Sequence, residues 1–260
     1  MRLIVFTDLD GTLLDHDSYS FAPAQPALDA LRARGIPLIL ATSKTAAEIA
    51  PLHAQLGLGD WPAIVENGAQ AVVPRAADSD TTEYDRIRAA LDALPHELRA
   101  PFTGFGDMSL REVALATGLP EPAAELARQR RFSEPGTWTG DESTRAAFLN
   151  ALAARGISAR RGGRFLTLSA GGTKAGCMAG IMRDLDRDTS IALGDAPNDV
   201  EMIETADHGV IVRNDAGTSL PQLAGESRGR VRRTTAPGPA GWNRAVLDLL
   251  DETAPTRSAD

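Results

Sequence analysis

Leu3-Ile-Val-Phe-Thr-Asp-Leu-Asp-Gly-Thr12 stands almost at the start of the 260-residue chain. Its apolar part, Leu3–Thr7, reads as a buried strand, and two carboxylates, Asp8 and Asp10, follow at once. Ligands of open parallel sheets bind outside the carboxyl ends of the strands, so these acids stand where chemistry is expected. Two residues apart in extended chain, they can point to the same side. Gly11 permits a sharp departure from the strand. Two adjacent acids sharing a hard divalent cation suit phosphoryl transfer. Alone, the same run also reads as an acidic turn that merely meets solvent.

The pattern around it repeats. Gln25–Arg34 reads as a helix closed by Gly35, Pro37–Ala41 as a strand, Thr45–Leu56 as a helix and Ala63–Glu66 as a strand. Pro51 is expected to kink the second helix or mark its start. The alternation resumes with strands Phe165–Ser169, Ser190–Leu193 and Gly209–Val212, among helices Lys174–Arg183, Asp199–Thr205 and Trp242–Asp251. Strands separated by such helices imply right-handed parallel crossovers. Between them lie mostly amphipathic helices: Tyr84–Leu94, Ser109–Thr117, Pro122–Arg130 and Asp141–Ala154. The predicted fold class is therefore α/β. A Rossmann-like parallel sheet is expected from residues 1–82 and 163–260, with a second domain inserted at 83–162. Gly162-Gly163 and Gly171-Gly172 read as turns, and Thr253–Asp260 as a frayed polar tail.

Polar clusters recur at the other strand ends. Thr42-Ser43-Lys44 follows Pro37–Ala41, where hydroxyls and backbone N–H groups can hold phosphate oxygens; capping the next helix is the competing role for Ser43. Lys174 opens a helix, where an ammonium opposes the macrodipole unless an anion compensates it. Of 27 basic residues only Lys44 and Lys174 are lysine, as expected where a compact ammonium is wanted. Gly194-Asp195-Ala196-Pro197-Asn198-Asp199 follows Ser190–Leu193 and offers metal ligands.

Composition removes other classes. With 27 basic and 35 acidic residues the formal charge is −8, which argues against nonspecific nucleic-acid or acidic-membrane binding. One cysteine, Cys177, excludes an internal disulfide and a cysteine-cluster zinc site. No apolar run approaches a membrane span, and Leu3–Phe6 is too short for a signal peptide. A cytoplasmic protein is expected. Arg228–Arg233 reads as a solvated basic face.

Together these clusters resemble the four motifs of the haloacid dehalogenase superfamily of phosphatases, and the insertion resembles that superfamily's larger α/β cap. Six shorter runs are similar to the mannosyl-3-phosphoglycerate phosphatases within it: Ala41-Thr-Ser-Lys-Thr45, Val65-Glu-Asn-Gly-Ala69, Gly104-Phe-Gly-Asp-Met-Ser109, Thr117-Gly-Leu119, Arg131-Phe-Ser-Glu-Pro135 and Gly194-Asp-Ala-Pro-Asn-Asp199. The resemblance runs from Met1 to about Asn214. Thr173 and Ala175 depart from it, since relatives often carry an acid and a glycine beside the lysine.

The resemblance implies a phosphomonoester hydrolase acting through an aspartyl-phosphate on mannosyl-3-phosphoglycerate, or on a related phosphosugar such as glucosyl-3-phosphoglycerate or sucrose phosphate. Asp8 is then the nucleophile, Asp10 the general acid and base, and Mg²⁺ the cofactor. Asp8, Asp10 and Asp195 would hold the ion with Asn198 or Asp199, while Lys174, Thr42, Ser43 and Lys44 would neutralise the phosphoryl oxygens. Asn67 would border the pocket. In the cap, Arg130 or Arg131 could pair with a glycerate carboxylate. Glu134, Thr103 and Asp107 could meet sugar hydroxyls, with Arg131–Pro135 read as a short turn. The expected partner is a small phosphorylated sugar acid, with neither nucleic acid nor membrane, for a monomer or homodimer.

Rival readings fit less well. A receiver-type signalling domain is about half this length, and a dinucleotide oxidoreductase needs a glycine-rich first turn that Asp8–Thr12 lacks. A non-catalytic phosphosugar sensor has no use for Asp10. A phosphomutase of the same superfamily shares the chemistry and is separated by a phosphate-release assay.

Overall fold

Five strands pair in parallel in the order Val231–Pro237, His208–Arg213, Thr189–Gly194, Leu3–Thr7, Leu38–Leu40. They belong to a computed structural model that describes residues 1–74, 80–162 and 164–253. The expected tail beyond Thr253 and the second glycine of Gly162-Gly163 lie outside the described residues.

The chain divides into two compact units. One comprises Met1–Thr42, Leu58–Ala63 and Lys174–Asp260; the other comprises Ser43–Gly57 and Ile64–Thr173. The first holds the parallel sheet. Leu3–Thr7 is buried at every position, as a strand inside a covered parallel sheet should be. Its Thr7 pairs with Leu193 on one side and Leu40 on the other, so three neighbouring strands end at the same level. Helices Gln25–Ala33, Lys174–Asp184, Val200–Thr205 and Gly238–Glu252 accompany this sheet. The last buries Trp242, Val246 and Leu249 completely.

The second unit contains a four-stranded antiparallel sheet in the order Phe102–Gly104, Ser133–Trp138, Phe165–Ser169, Ser158–Gly162. Helices Thr82–Asp92, Leu110–Thr117, Glu121–Arg128 and Glu142–Ala153 belong to it. Its core gathers Ile87, Leu91, Phe102, Phe148, Leu152 and Leu168, with the Phe102 and Phe148 rings stacked at 5.5 Å.

Phe165–Ser169 was expected to resume the parallel pattern, but it pairs antiparallel with Ser133–Gly136 in the second unit. Arg131–Pro135 is not a short turn throughout, because the strand begins at Ser133. Pro51 does not start the helix Ala46–Gln55: Thr45 caps it, accepting from Glu48 N while Glu48 Oε2 accepts from Thr45 N, a reciprocal capping box. That leaves Ser43 without the capping role. Arg228–Arg233 is no simple solvated face. Val231–Pro237 is one of the two edge strands of the parallel sheet, Arg232 makes a two-pronged pair with Glu252, and Arg233 makes another with Glu226. Among the described residues no helix is long and apolar enough to cross a membrane.

Candidate active site

The parallel register sets the site. Asp8 N donates to Leu193 O at 2.9 Å, and Ala41 N donates to Thr7 O at 2.8 Å. Asp8, Thr42 and Asp195 therefore all follow adjacent strand ends. Gly11 turns the chain away with φ +79°, and a side chain there would strike Asn214 and Asp195.

Lys174, the first residue of its helix, lies with its side chain only 1% exposed between two acids. Its Nζ donates to Asp8 Oδ1 at 2.6 Å and to Asp199 Oδ1 at 2.7 Å. The anion that the sequence required to compensate this ammonium is thus present twice. Asp199 Oδ2 accepts from Asp195 N at 3.2 Å and Ala196 N at 3.0 Å, so both its oxygens are engaged within the protein. Asp199 fixes the lysine and its own loop. Asn198, beside it, is exposed.

Asp195 is oriented from both sides: Thr12 Oγ1 donates to Oδ1 at 2.7 Å and Asn214 Nδ2 to Oδ2 at 2.8 Å. Carboxylate oxygens of Asp8, Asp195 and Asp199 lie within 4.8 Å of one another, an arrangement able to hold a metal ion. Three carboxyl groups cluster here and one ammonium, Lys174, pairs with two of them, so acidic groups outnumber the cation. The electrostatics follow. Burial, then Asp199 and Asp195, push the Asp8 carboxyl well above its ordinary range although Lys174 opposes the shift. Burial likewise raises Asp195 against the hydrogen bonds of Asn214 and Thr12. Burial disfavours charge on Lys174, but Asp199 and Asp8 outweigh it and raise its pKa. An all-oxygen, acid-rich donor set fits a hard divalent cation.

Three contributors were not singled out from sequence. Asn214 follows the strand His208–Arg213, so the strand-end rule that found Asp8 and Asp195 could have found it. Thr12 lay inside the quoted motif without a role. Trp242 had no signal at all: its Nε1 donates to Thr7 Oγ1 at 2.9 Å, and Thr7 Oγ1 donates to Asp8 O at 2.8 Å, a buried tie from the last helix to the acid's own backbone.

Asp10 is half-buried and Thr42 buried in this same unit. Ser43, Lys44, Asn67, Arg130, Arg131 and Glu134 belong to the other unit. There Arg130 donates to Ser43 O and Ala127 O, each at 3.0 Å, so two of its N–H groups are taken by backbone. Arg131 is half-buried and its Nε donates to Asp80 O at 2.8 Å. Glu134 is fully buried; its Oε1 accepts from Gly106 N at 2.8 Å and lies 3.3 Å from Arg88 Nη1. Burial raises its pKa, against the Tyr84 and Gly106 hydrogen bonds. Asp107 pairs with Arg88 and Arg99.

A haloacid dehalogenase-like hydrolase family model matches residues 5–93 and 168–220. A glucosyl-3-phosphoglycerate/mannosyl-3-phosphoglycerate phosphatase of Methanococcoides burtonii is 33% identical, over 96% of this chain and 98% of its own. One of the same description from Persephonella marina is 30% identical with the same coverage. Among solved structures, a haloacid dehalogenase-like hydrolase from Bacteroides thetaiotaomicron superposes with a TM-score of 0.68 at 18% identity, covering 96% of this chain and 100% of its own. The sucrose-phosphatase of Synechocystis, solved with sucrose and phosphate, gives 0.62 at 16% identity, covering 96% and 97%. At such identities the structures support the fold alone.

Proposed function

Because this chain belongs to the haloacid dehalogenase-like hydrolases, we propose that it removes the phosphate of a glycosyl-3-phosphoglycerate, mannosyl or glucosyl, to give the glycosylglycerate. The observation that carries the chemistry is the buried Lys174 held between Asp8 and Asp199 beside Asp195. The substrate class rests on the two relatives, each matched over nearly its whole length. Residues 83–162 are proposed as the inserted specificity cap, whose antiparallel sheet continues to Ser169.

In this reading the Asp8 oxygen not held by Lys174 attacks phosphorus, forming an aspartyl-phosphate as the bond to the glycerate oxygen breaks. Asp10 protonates that leaving oxygen. It then takes a proton from the water that attacks phosphorus, which frees Asp8 and inorganic phosphate. Lys174 and Thr42, with Ser43 and Lys44 next in the chain, neutralise and orient the phosphoryl oxygens. Asp8, the Asp10 backbone carbonyl and Asp195 would hold Mg²⁺. When bound, the ion supplies charge neutralisation at the phosphoryl group. Asp199 acts through Lys174 and the Asp195 loop, since both its oxygens are already engaged. Thr12 and Asn214 fix the Asp195 carboxylate.

The test is phosphate release from a panel of phosphoesters, with and without EDTA. Glucosyl- or mannosyl-3-phosphoglycerate is expected to be the best substrate, and the chelator to stop release. Undiminished release in excess EDTA contradicts the metal assignment, and preference for sucrose phosphate contradicts the substrate. Cation affinity should also weaken as pH falls, because protons compete for Asp8 and Asp195, both held above the ordinary carboxylate range. Titration calorimetry at several pH values reads this directly, and a pH-independent affinity contradicts it.

For the acid group we take Arg131 as the reader, with Arg130, which donates to two backbone carbonyls, as the competing candidate. A substrate lacking the carboxylate leaves such a group unpaired, so discrimination can be large. Arg131→Ala should lower kcat/KM for the glycosyl-3-phosphoglycerate far more than for p-nitrophenyl phosphate. Equal losses on both substrates in a steady-state assay assign Arg131 to folding instead.

A further inference from the structure

Glu66 is a carboxylate that the mechanism does not use, yet its side chain is 1% exposed. A buried acid persists where hydrogen bonds replace its water. Here three donors converge on it. Oε1 accepts from Arg131 N at 3.1 Å, while Oε2 accepts from Phe132 N at 3.2 Å and Ser133 Oγ at 2.6 Å. Arg130 Nη1 stands 4.0 Å from Oε2 and supplies positive charge nearby. The carboxylate thus holds three consecutive residues at the entry to the strand Ser133–Trp138.

The backbone of Glu66 is unusual as well. Glu66 and the next residue, Asn67, both adopt left-handed conformations, with φ +51° and +62°. Two adjacent non-glycine residues in this region are costly and persist only where the surroundings over-determine them. The surroundings do so: Glu66 N donates to Lys44 O at 3.0 Å, and its side chain is fixed by the donors above. Arg130 extends the tie by donating to Ser43 O at 3.0 Å. Three segments of one compact unit, Ser43-Lys44, Glu66-Asn67 and Arg130–Ser133, are therefore knotted through one acid.

We infer that Glu66 is a positioning residue for substrate recognition, its buried carboxylate fixing the Arg131–Ser133 backbone from which Arg131 reads the acid group of the substrate. The inference rests on the proposed role of Arg131. It assigns Glu66 no contact with the reacting atoms. A carboxylate suits this position because all three of its bonded neighbours donate to it. In Glu66→Gln one acceptor oxygen becomes an NH₂ facing donors, while the shape and the backbone bond to Lys44 O are kept.

The experiment compares kcat and KM of wild type and Glu66→Gln on glucosyl-3-phosphoglycerate and p-nitrophenyl phosphate. The ratio of the two kcat/KM values should fall by roughly tenfold or more, the range expected for hydrogen bonds to a charged group. The loss should lie in KM for the sugar acid, as when binding shared by ground and transition states is removed. A merely structural role lowers kcat on both substrates by the same factor, and that outcome overturns the inference. Ser133→Ala removes one donor and is the second variant if Glu66→Gln fails to fold. A smaller shift of the ratio in the same direction supports the inference, and an unchanged ratio overturns it. Wild-type protein inactive on glucosyl-3-phosphoglycerate contradicts the substrate reading instead; the ratio is then taken with the best acidic phosphosugar of the panel, and the same outcomes decide Glu66.

Discussion

Asp8→Asn is expected to abolish turnover and the covalent intermediate together, a loss on the order of 10⁴–10⁶-fold as for other enzymic nucleophiles. An amide oxygen is a poor nucleophile toward phosphorus, and the neighbouring groups cannot substitute. Lys174 is a cation, and both oxygens of Asp199 are engaged by Lys174 and by backbone N–H groups. Fold and substrate binding should survive, because Asn keeps the shape and one acceptor for Lys174. Asp10→Asn is the control. It removes proton exchange and should slow turnover by roughly 10²–10⁴-fold, the ordinary reach of general acid–base catalysis, while leaving the nucleophile in place. Full activity in Asp8→Asn excludes Asp8 as the nucleophile.

Lys174→Met carries the second large effect, on stability as well as rate. Removing the ammonium leaves Asp8 and Asp199 facing one another in a buried site without their shared cation. Breaking such a pair costs about 3–5 kcal/mol, because a buried charge is left uncompensated. Asp8, already pushed above its ordinary range by burial and its acidic neighbours, should rise further once the one opposing cation is gone. Turnover should drop by about 10²–10³-fold or more, the range for loss of one preorganised charge-stabilising donor. Adding Asp199→Asn to this variant should restore part of the stability and none of the activity, since it removes repulsion without replacing the cation. Thermal melts and phosphate release on the same preparations separate the two effects. A Lys174→Met protein as stable and as active as wild type contradicts the geometry of the site.

Much of this was legible in the chain, for physical reasons that can be named. An apolar run ended by charged residues marks a parallel strand and its functional end together, so Leu3–Thr7 with Asp8, and Thr189–Gly194 with Asp195, were readable from pattern alone. Lys174 was readable because a cation opening a helix needs an anion. The antiparallel strands were harder. Ser133–Trp138 contains serine, glutamate, proline and glycine and shows no simple alternation, so its pairing depends on partners distant in sequence. Arg228–Arg233 reads as basic surface in the sequence because the partners of Arg232 and Arg233, Glu252 and Glu226, are brought to them only by the fold. Glu66 was quoted within a motif, yet nothing local says that its carboxylate closes on residues 131–133. Trp242 acts through Thr7 across 235 positions, beyond the reach of any local pattern.

The central step of the proposed reaction is the bond between Asp8 and phosphorus. Rapid quenching of the enzyme during turnover of glucosyl- or mannosyl-3-phosphoglycerate, followed by borohydride, reduces an acyl phosphate to the alcohol. Peptide mass spectrometry then reads the position. Homoserine is expected at position 8, dependent on substrate and divalent cation and absent from Asp8→Asn. Phosphate release at the full rate with Asp8 unmodified throughout, or with the label on another residue, contradicts this step.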